Sequence, residues 1–188
     1  MKDHILESIK NLEKILVDTE LLTNIEISIS KIVKALSNNL PLLVFGNGGS
    51  ASDALHISGE LVGKFYKERK PYNVICLNSN VVVLTAWSND YNFVDSFARQ
   101  VEAHGVSGGV ALGISTSGNS KSVIYGIKRA EEMGMTTICL TGKDGGELKN
   151  IANILVSVPS ISTPRIQEMH SILYHYMCEK IELELSKL

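Results

Sequence analysis

Five short apolar runs, each without polar alternation, constrain the fold of this chain more than any other feature. The runs cover 42–45, 73–77, 110–114, 137–140 and 154–158. Continuous apolar runs of this length are typical of strands buried on both faces of a parallel sheet. The helix-length segments that separate them lie around 51–66, 92–104, 120–133 and 165–187. This alternation predicts an α/β sandwich with right-handed crossovers.

The first 38 residues have a different pattern. Isoleucines and leucines recur there at spacings of three and four, which predicts amphipathic helices. Asp18 and Thr19 offer a helix cap between two such helices. The apolar stripes must cover either the domain's own sheet or a partner subunit. We therefore expect N-terminal helices over 1–38 and one structural unit over 39–188.

The charge balance gives no electrostatic case for nucleic acid or an anionic membrane as a partner. The chain has 188 residues, with 18 Lys and Arg against 20 Asp and Glu. No apolar run is long enough to span a bilayer, and the first residues lack a signal-peptide core. The three cysteines, Cys76, Cys139 and Cys178, are scattered and form no disulfide framework. A cytoplasmic protein is expected.

Two predicted strand-to-helix junctions carry unusual residues, and ligands of open parallel sheets bind at such junctions. The first is Gly46-Asn47-Gly48-Gly49-Ser50. Its glycines allow a sharp turn and a close approach of backbone to ligand, although a plain tight turn has the same composition. The run is neither a Rossmann fingerprint nor a P-loop, so it does not indicate a dinucleotide or a nucleoside triphosphate.

The second junction, Ser115–Ser120, gathers four hydroxyls and an amide before a predicted helix. The free N–H groups and partial positive charge of a helix N-terminus suit a phosphate. A helix cap needs one such hydroxyl and not four, so we interpret this loop as a site for one phosphate monoester. A third loop, Thr141–Gly146, is equally compatible with a plain turn and with a ligand contact.

Two pairs of polar residues lie on common helix faces. His56 and Glu60 are four residues apart, and Gln167 and His175 are eight apart. Together these side chains suit a divalent transition ion, and a carboxylate with an imidazole equally suits a base and an acid. Ordinary helix positions are a third interpretation. His170 fits either a supporting role or a plain helical position.

Four motifs in this order resemble the sugar isomerase (SIS) domain family and, within it, the phosphoheptose isomerases. They are Gly46–Ser50, Ser115–Ser120, Leu140–Gly146 and Arg165–His170, and the resemblance extends from about Leu6 to the end of the chain. It implies a three-layer sandwich with a five-stranded, flavodoxin-like parallel sheet. It also implies a homotetramer with active sites at subunit interfaces, a phosphosugar substrate and one Zn²⁺ per subunit.

The resemblance also assigns residues. The implied zinc ligands are His56, Glu60, Gln167 and His175, and the implied proton-transfer pair is Glu60 and His175. The implied substrate contacts are Asn47, Gly48, Gly49, Ser50, Glu60, Asn89, Asp90, Ser115, Thr116, Ser117, Ser120 and Gln167. Two positions depart from the family's common pattern: Pro164 stands where Asp is frequent, and Lys64 where Arg is frequent. Both departures concern substrate specificity, since an ammonium does not replace a bidentate guanidinium.

The implied reaction is aldose–ketose isomerisation through an enediol, from D-sedoheptulose 7-phosphate to D-glycero-D-manno-heptose 7-phosphate. The heptose would serve lipopolysaccharide or capsule synthesis. Some proteins of the same subfamily are binding proteins without catalysis, such as the factor that associates with the bacterial replication initiator. Glu60 and His175 favour the isomerase, because a binding protein has no need of an acid–base pair. A related phosphosugar isomerase or a capsule-specific heptose enzyme is a further alternative.

Overall fold

A five-stranded, all-parallel sheet forms the centre of the chain, and the predicted fold class is confirmed. The computed structural model describes residues 1–187. The strands are β1 (Leu42–Gly46), β2 (Val74–Cys76), β3 (Val110–Ser115), β4 (Thr136–Thr141) and β5 (Ile154–Ser157). Their order is β2-β1-β3-β4-β5, the flavodoxin-like arrangement. Strands β1 and β3 are buried along their whole length, as their unbroken apolar runs predict.

Helices cover both faces of the sheet. The helices are α1 (Lys2–Leu16), α2 (Thr19–Ser37), α3 (Gly49–Val62), α4 (Val81–Asp90), α5 (Ser96–His104), α6 (Lys121–Glu132) and α7 (Thr163–Leu185). Helices α2, α3 and α7 share one apolar core with the sheet, whereas α5 and α6 belong to a second core on the other face. The sheet is therefore the middle layer of three.

The N-terminal helices differ in how well their apolar stripes are covered. The side chain of Asp18 caps α2 by accepting a hydrogen bond from Leu21 N at 2.9 Å, as predicted. The stripe of α2 is buried in the core, but Ile5 and Ile9 of α1 are 49% and 45% exposed. The division of the chain at residue 38 stays a prediction.

Two local features differ from the sequence-based expectation. Helix α4 was not predicted, because its Val-Val-Val-Leu-Thr start has the β-branched composition of a strand. The Asn80 side chain accepts from Val83 N at 3.1 Å and caps this helix. Helix α3 ends at Val62 and not, as expected from the sequence, near residue 66. An irregular segment begins directly after Val62.

The order of the strands places two predicted loops side by side. Gly46, the last residue of β1, pairs in register with Ile114 near the end of β3. Chain connections leave these two neighbouring strands in opposite directions, which opens a crevice at their carboxyl ends. No helix of residues 1–187 is long and apolar enough to cross a membrane.

Candidate active site

The loops that follow β1 and β3 are joined by side-chain hydrogen bonds. Nδ2 of Asn47 donates to Oγ of Ser120 at 2.7 Å and to Oγ of Ser122 at 2.9 Å. Ser120 is the N-cap residue of α6, but its side chain makes no capping hydrogen bond. The first loop thus holds the hydroxyl that a simple helix cap would have used, which leaves the α6 N-terminus without a side-chain cap.

The third loop and the short helical turn that follows it at 146–150 hold the Ser115–Ser120 loop by hydrogen bonds. Gly142 N donates to Thr116 O at 2.9 Å, Leu148 N to Gly118 O at 3.1 Å, and Glu147 N to Asn119 Oδ1 at 2.9 Å. Gly118 has a φ of 66°, and a Cβ there would collide with the carbonyl oxygen of Gly145. The turn between β3 and α6 is therefore fixed by these hydrogen bonds and by the close approach of Gly145, while Ser117 and Asn119 are exposed.

The four hydroxyls of the Ser115–Ser120 loop have different environments. Ser115 is buried at the end of β3, Thr116 and Ser120 are half-buried, and Ser117 is exposed. Oγ of Ser117 accepts from Asn119 N at 3.2 Å, which stabilises the turn. Backbone N–H groups and hydroxyls of graded exposure are the groups that bind a phosphate at a helix N-terminus.

Helices α3 and α7 bring His56, Glu60 and His175 together. One donor atom from each residue lies within 4.8 Å of the other two. Nε2 of His56 is 2.9 Å from Oε1 of Glu60, and the His56 and His175 rings meet edge to face at 4.8 Å. Residues of two helices that are far apart in sequence thus form one compact group.

The backbone fixes which nitrogen of His175 is available. Nδ1 of His175 is 2.7 Å from the carbonyl oxygen of Ser171, one turn earlier in α7. A carbonyl oxygen only accepts hydrogen bonds, so Nδ1 carries the proton and Nε2 carries the free lone pair of the neutral ring. Nε2 is thereby the atom offered to a metal ion or a proton.

The donor chemistry of this group fits zinc. Two imidazole nitrogens and one carboxylate oxygen form a ligand set of catalytic zinc sites, which keep a position open for water or substrate. A hydrogen bond from the second ring nitrogen to a carbonyl, as His175 makes, is also typical of metal-binding histidines.

Gln167 lies near the first loop. A Cβ on Gly49 would collide with Nε2 of Gln167, so the bare backbone at the start of α3 accommodates this carboxamide. Eight residues of α7, a rise of about 12 Å, separate Gln167 from His175. Among the hydrogen bonds of residues 1–187, none joins Gln167 to His56, Glu60 or His175.

Asp53 is a site residue that the sequence interpretation missed. It lies on α3 one turn before His56, and its Oδ2 atom is buried without a hydrogen-bond partner among residues 1–187. Burial raises the pKa of the Asp53 carboxyl to about 6, while the neighbouring His56 acts in the opposite direction. The spacing of three and then four from Asp53 to His56 and Glu60 was the available signal.

His170 is a core residue. Its side chain is fully buried, and Nε2 donates to the carbonyl oxygen of Thr141 at 3.1 Å, which ties α7 to the end of β4. Burial lowers the pKa of His170 to about 4, although the hydrogen bond to Thr141 acts in the opposite direction. This histidine supports α7 and is not a surface position.

Glu182 anchors the segment that follows α3. Its buried carboxylate accepts hydrogen bonds at 2.8–3.0 Å from the backbone N–H groups of Phe65, Tyr66 and Lys67, and from Nε of Arg69 at 3.0 Å. Burial raises the pKa of Glu182, but these donors outweigh it, and the net pKa is below the ordinary value. The anchored segment carries Lys64, which is exposed and paired with Glu68.

Among residues 1–187, two predicted substrate contacts make no side-chain hydrogen bond to the other residues of the site. Asn89 and Asp90 end helix α4 and are exposed, and Nδ2 of Asn89 donates to Oδ1 of Asp90 at 2.9 Å. Asp90 borders a groove between α4 and α5 that includes Trp87 and Gln100. The structure therefore joins the first two loops to each other, and α3 to α7, without these two residues.

Comparisons with known proteins show the family of the chain. A model of the SIS domain matches residues 5–142. The phosphoheptose isomerase of Aquifex aeolicus is 52% identical over 151 residues, which are 80% of this chain and 79% of the relative. That of Clostridium acetobutylicum is 45% identical over 181 residues, or 96% of this chain and 92% of the relative.

Solved structures show the same relationship. The phosphoheptose isomerase structure from Neisseria gonorrhoeae aligns with a TM-score of 0.87 and 39% identity over 96% of both chains. The one from Francisella tularensis aligns with a TM-score of 0.90 and 35% identity over 96% of this chain and 95% of that chain. The chain therefore belongs to the SIS-domain family, in its phosphoheptose isomerase branch, and is a phosphosugar isomerase.

Proposed function

We propose that the chain interconverts D-sedoheptulose 7-phosphate and D-glycero-D-manno-heptose 7-phosphate through an enediol. The observation that carries this proposal is the His56–Glu60–His175 group on α3 and α7, the two helices that also bring Gln167 to Gly49 of the first loop, in a chain whose relatives are named phosphoheptose isomerases. A carbon acid next to a carbonyl is very weak. The site must therefore supply a base, an acid and stabilisation of the negative charge that develops.

The phosphate is assigned to the Ser115–Ser120 loop. The uncapped N-terminus of α6 supports this assignment, because its N–H groups and partial positive charge favour an anion. The phosphate lies far from the reacting carbons. Its binding energy therefore serves to hold the sugar chain in place for the proton transfer. Asn47, Gly48, Gly49 and Ser50 would contact the sugar from the neighbouring loop.

Glu60 is assigned as the base and His175 as the acid. Glu60 lies on a helix one turn from His56, so its carboxylate has a fixed direction. Because Nδ1 of His175 donates to Ser171 O, the proton given to a substrate oxygen would come from Nε2 of the doubly protonated ring, and this nitrogen cannot ligate zinc in the same state. General acid–base groups of this kind typically contribute about 10²–10⁴-fold each.

His56, Glu60 and His175 are also the residues that would hold Zn²⁺, with Gln167 as the further ligand. When bound, the ion would polarise the substrate carbonyl as a Lewis acid. Glu60 then has two roles that compete, because a carboxylate that ligates a cation is a weaker base. Gln167 would have to turn away from Gly49 to join the other three residues.

A homotetramer with shared active sites is part of the proposal. The exposure of Ile5 and Ile9 on α1 and of Val81 and Val82 on α4 supports it, since exposed apolar patches mark protein interfaces. A neighbouring subunit could bring Asn89 and Asp90 to a site that lacks them within one chain. Light scattering at micromolar concentration should give a tetramer, and an active monomer would contradict shared sites.

The role in the cell follows from the product. A heptose 7-phosphate of this configuration would be the first precursor of the activated heptose used for lipopolysaccharide or capsule. We place the protein in the cytoplasm, where its three buried, unpaired cysteines stay reduced.

A direct assay tests the reaction. Purified protein should convert sedoheptulose 7-phosphate to the aldose, and a chelator should abolish turnover that added Zn²⁺ restores. Activity that is indifferent to chelation would remove zinc from the proposal and keep the isomerase. Binding of the sugar phosphate without turnover would favour a binding protein instead.

A further inference from the structure

His56 has a second partner that neither the sequence motifs nor the relatives' names single out. Its Nδ1 atom is 3.0 Å from the hydroxyl oxygen of Tyr174, on the opposite side of the ring from Glu60. Tyr174 lies on α7 directly before His175, and only 3% of it is exposed. Its ring meets the His56 ring edge to face at 5.4 Å.

Ser171 connects the supports of the two histidines. Its hydroxyl donates to the Tyr174 hydroxyl at 3.3 Å, and its carbonyl oxygen accepts from Nδ1 of His175 at 2.7 Å. One residue of α7 thus supports His175 directly and His56 through Tyr174. Both imidazoles have Nδ1 engaged and Nε2 directed towards the shared group.

The proton on His56 must move when a cation replaces the hydrogen bond to Glu60. Beside an accepting carboxylate oxygen, Nε2 of His56 carries the proton and Nδ1 accepts from the Tyr174 hydroxyl. A ring that ligates through Nε2 needs the proton on Nδ1, with an acceptor there. A hydroxyl both donates and accepts, so Tyr174 can hold the ring in either state, and phenylalanine cannot.

We propose that Tyr174 is a positioning residue for the metal site, whose hydroxyl holds Nδ1 of His56 so that Nε2 faces a divalent cation shared with Glu60 and His175. This inference rests on the proposed zinc site. The hydroxyl acts through His56 and does not touch the substrate. Its loss removes the side-chain partner of Nδ1 of His56, which weakens the orientation of one ligand and leaves all ligands present.

The test compares zinc affinity in Tyr174→Phe and in the unchanged protein. Each is freed of metal and titrated with Zn²⁺ against a chromophoric chelator at one fixed pH. Loss of such a supporting hydrogen bond typically weakens metal binding about 10–100-fold, and that is the expected change. The Co²⁺ absorption spectrum of the variant should change as well, because the ligand field changes.

Tyr176→Phe is the matched control. Tyr176 lies two residues further along α7, and its hydroxyl bonds to Oε1 of Glu26, away from the metal group. The variant Tyr176→Phe also removes one tyrosine hydroxyl from α7, and it should leave zinc affinity unchanged. Unfolding of the metal-free proteins in urea shows whether Tyr174→Phe has also altered the fold.

The outcomes separate this inference from the proposed function. If the unchanged protein binds no stoichiometric zinc, the metal site itself fails. If it binds zinc and Tyr174→Phe binds it equally well, only the role of Tyr174 is overturned. Should the variant not fold, long-range ¹H–¹⁵N spectra of the unchanged zinc-loaded protein decide. A proton on His56 Nδ1 supports the inference, and zinc on Nδ1 overturns it.

Discussion

The two ends of the candidate site are built in contrasting ways. At the α3–α7 end, three side chains on two helices carry the proposed chemistry, and three of their four ring nitrogens have a hydrogen-bond partner. At the Ser115–Ser120 end, a turn presents backbone N–H groups and hydroxyls. Hydrogen bonds from the backbone N–H groups of Gly142, Glu147 and Leu148 fix this turn. Proton transfer needs a few atoms in fixed positions, whereas binding of a phosphate is shared among many donors.

This difference predicts how the two ends respond to mutation. A single atom changed at the helical end should remove most of the activity, because no neighbouring group can take over a proton transfer. A single hydroxyl removed at the loop end should weaken binding to a limited extent, because the other donors remain.

Glu60→Gln should have the largest effect. It keeps the size of the side chain and removes the proposed base, so kcat should fall by about 10²–10⁴-fold or more. Added Zn²⁺ should not restore it. Initial rates with sedoheptulose 7-phosphate measure the change. Glu131→Gln, an exposed position on α6, is the matched control and should keep full activity.

His170 tests how firmly α7 is held. The unfolded chain binds a proton at His170 below pH 6.5, but the folded chain does so only near pH 4. Stability should therefore fall as the pH falls through this window, by about 3 kcal/mol for this group. Urea unfolding at pH 7 and pH 4.5 measures the fall. His170→Gln should show a smaller fall, and an equal one would contradict the assignment.

Ser117→Ala tests the loop end. Loss of one donor to a charged phosphate costs on the order of 1.5–3 kcal/mol, so KM for the substrate and the inhibition constant of inorganic phosphate should rise together by roughly tenfold or more. Ser37→Ala, at the exposed end of α2, should change neither constant. A rise in KM without a change in phosphate inhibition would move the phosphate elsewhere.

Gly49→Ala should have the smallest effect and links the two ends. The new Cβ would displace the flexible Gln167 carboxamide, so activity should fall by about tenfold while stability stays within about 0.5 kcal/mol. Gly59→Ala, on the same helix with open space around the new methyl group, should keep its activity. Equal activity in both variants would show that Gln167 has no role in the reaction.

Much of this arrangement follows from the sequence, for identifiable reasons. The apolar runs predicted the strands, and the spacing of His56 and Glu60 predicted their common face. Helix α4 was missed because the β-branched residues at its start are typical of a strand and not of a helix. Tyr174, Asp53 and Glu182 were missed for a different reason, since their roles depend on contacts between distant segments. Tyr174 reaches His56 across 118 positions, and Glu182 reaches Phe65 across 117.

Exchange of hydrogen with solvent tests most directly whether Glu60 takes the proton. In ²H₂O the unchanged protein should place deuterium at the second carbon of the aldose product. Glu60→Gln should lose this exchange together with turnover, by at least about 10²-fold. Exchange at the unchanged rate in Glu60→Gln would contradict the assignment and place the base on another group, with His175 the next candidate.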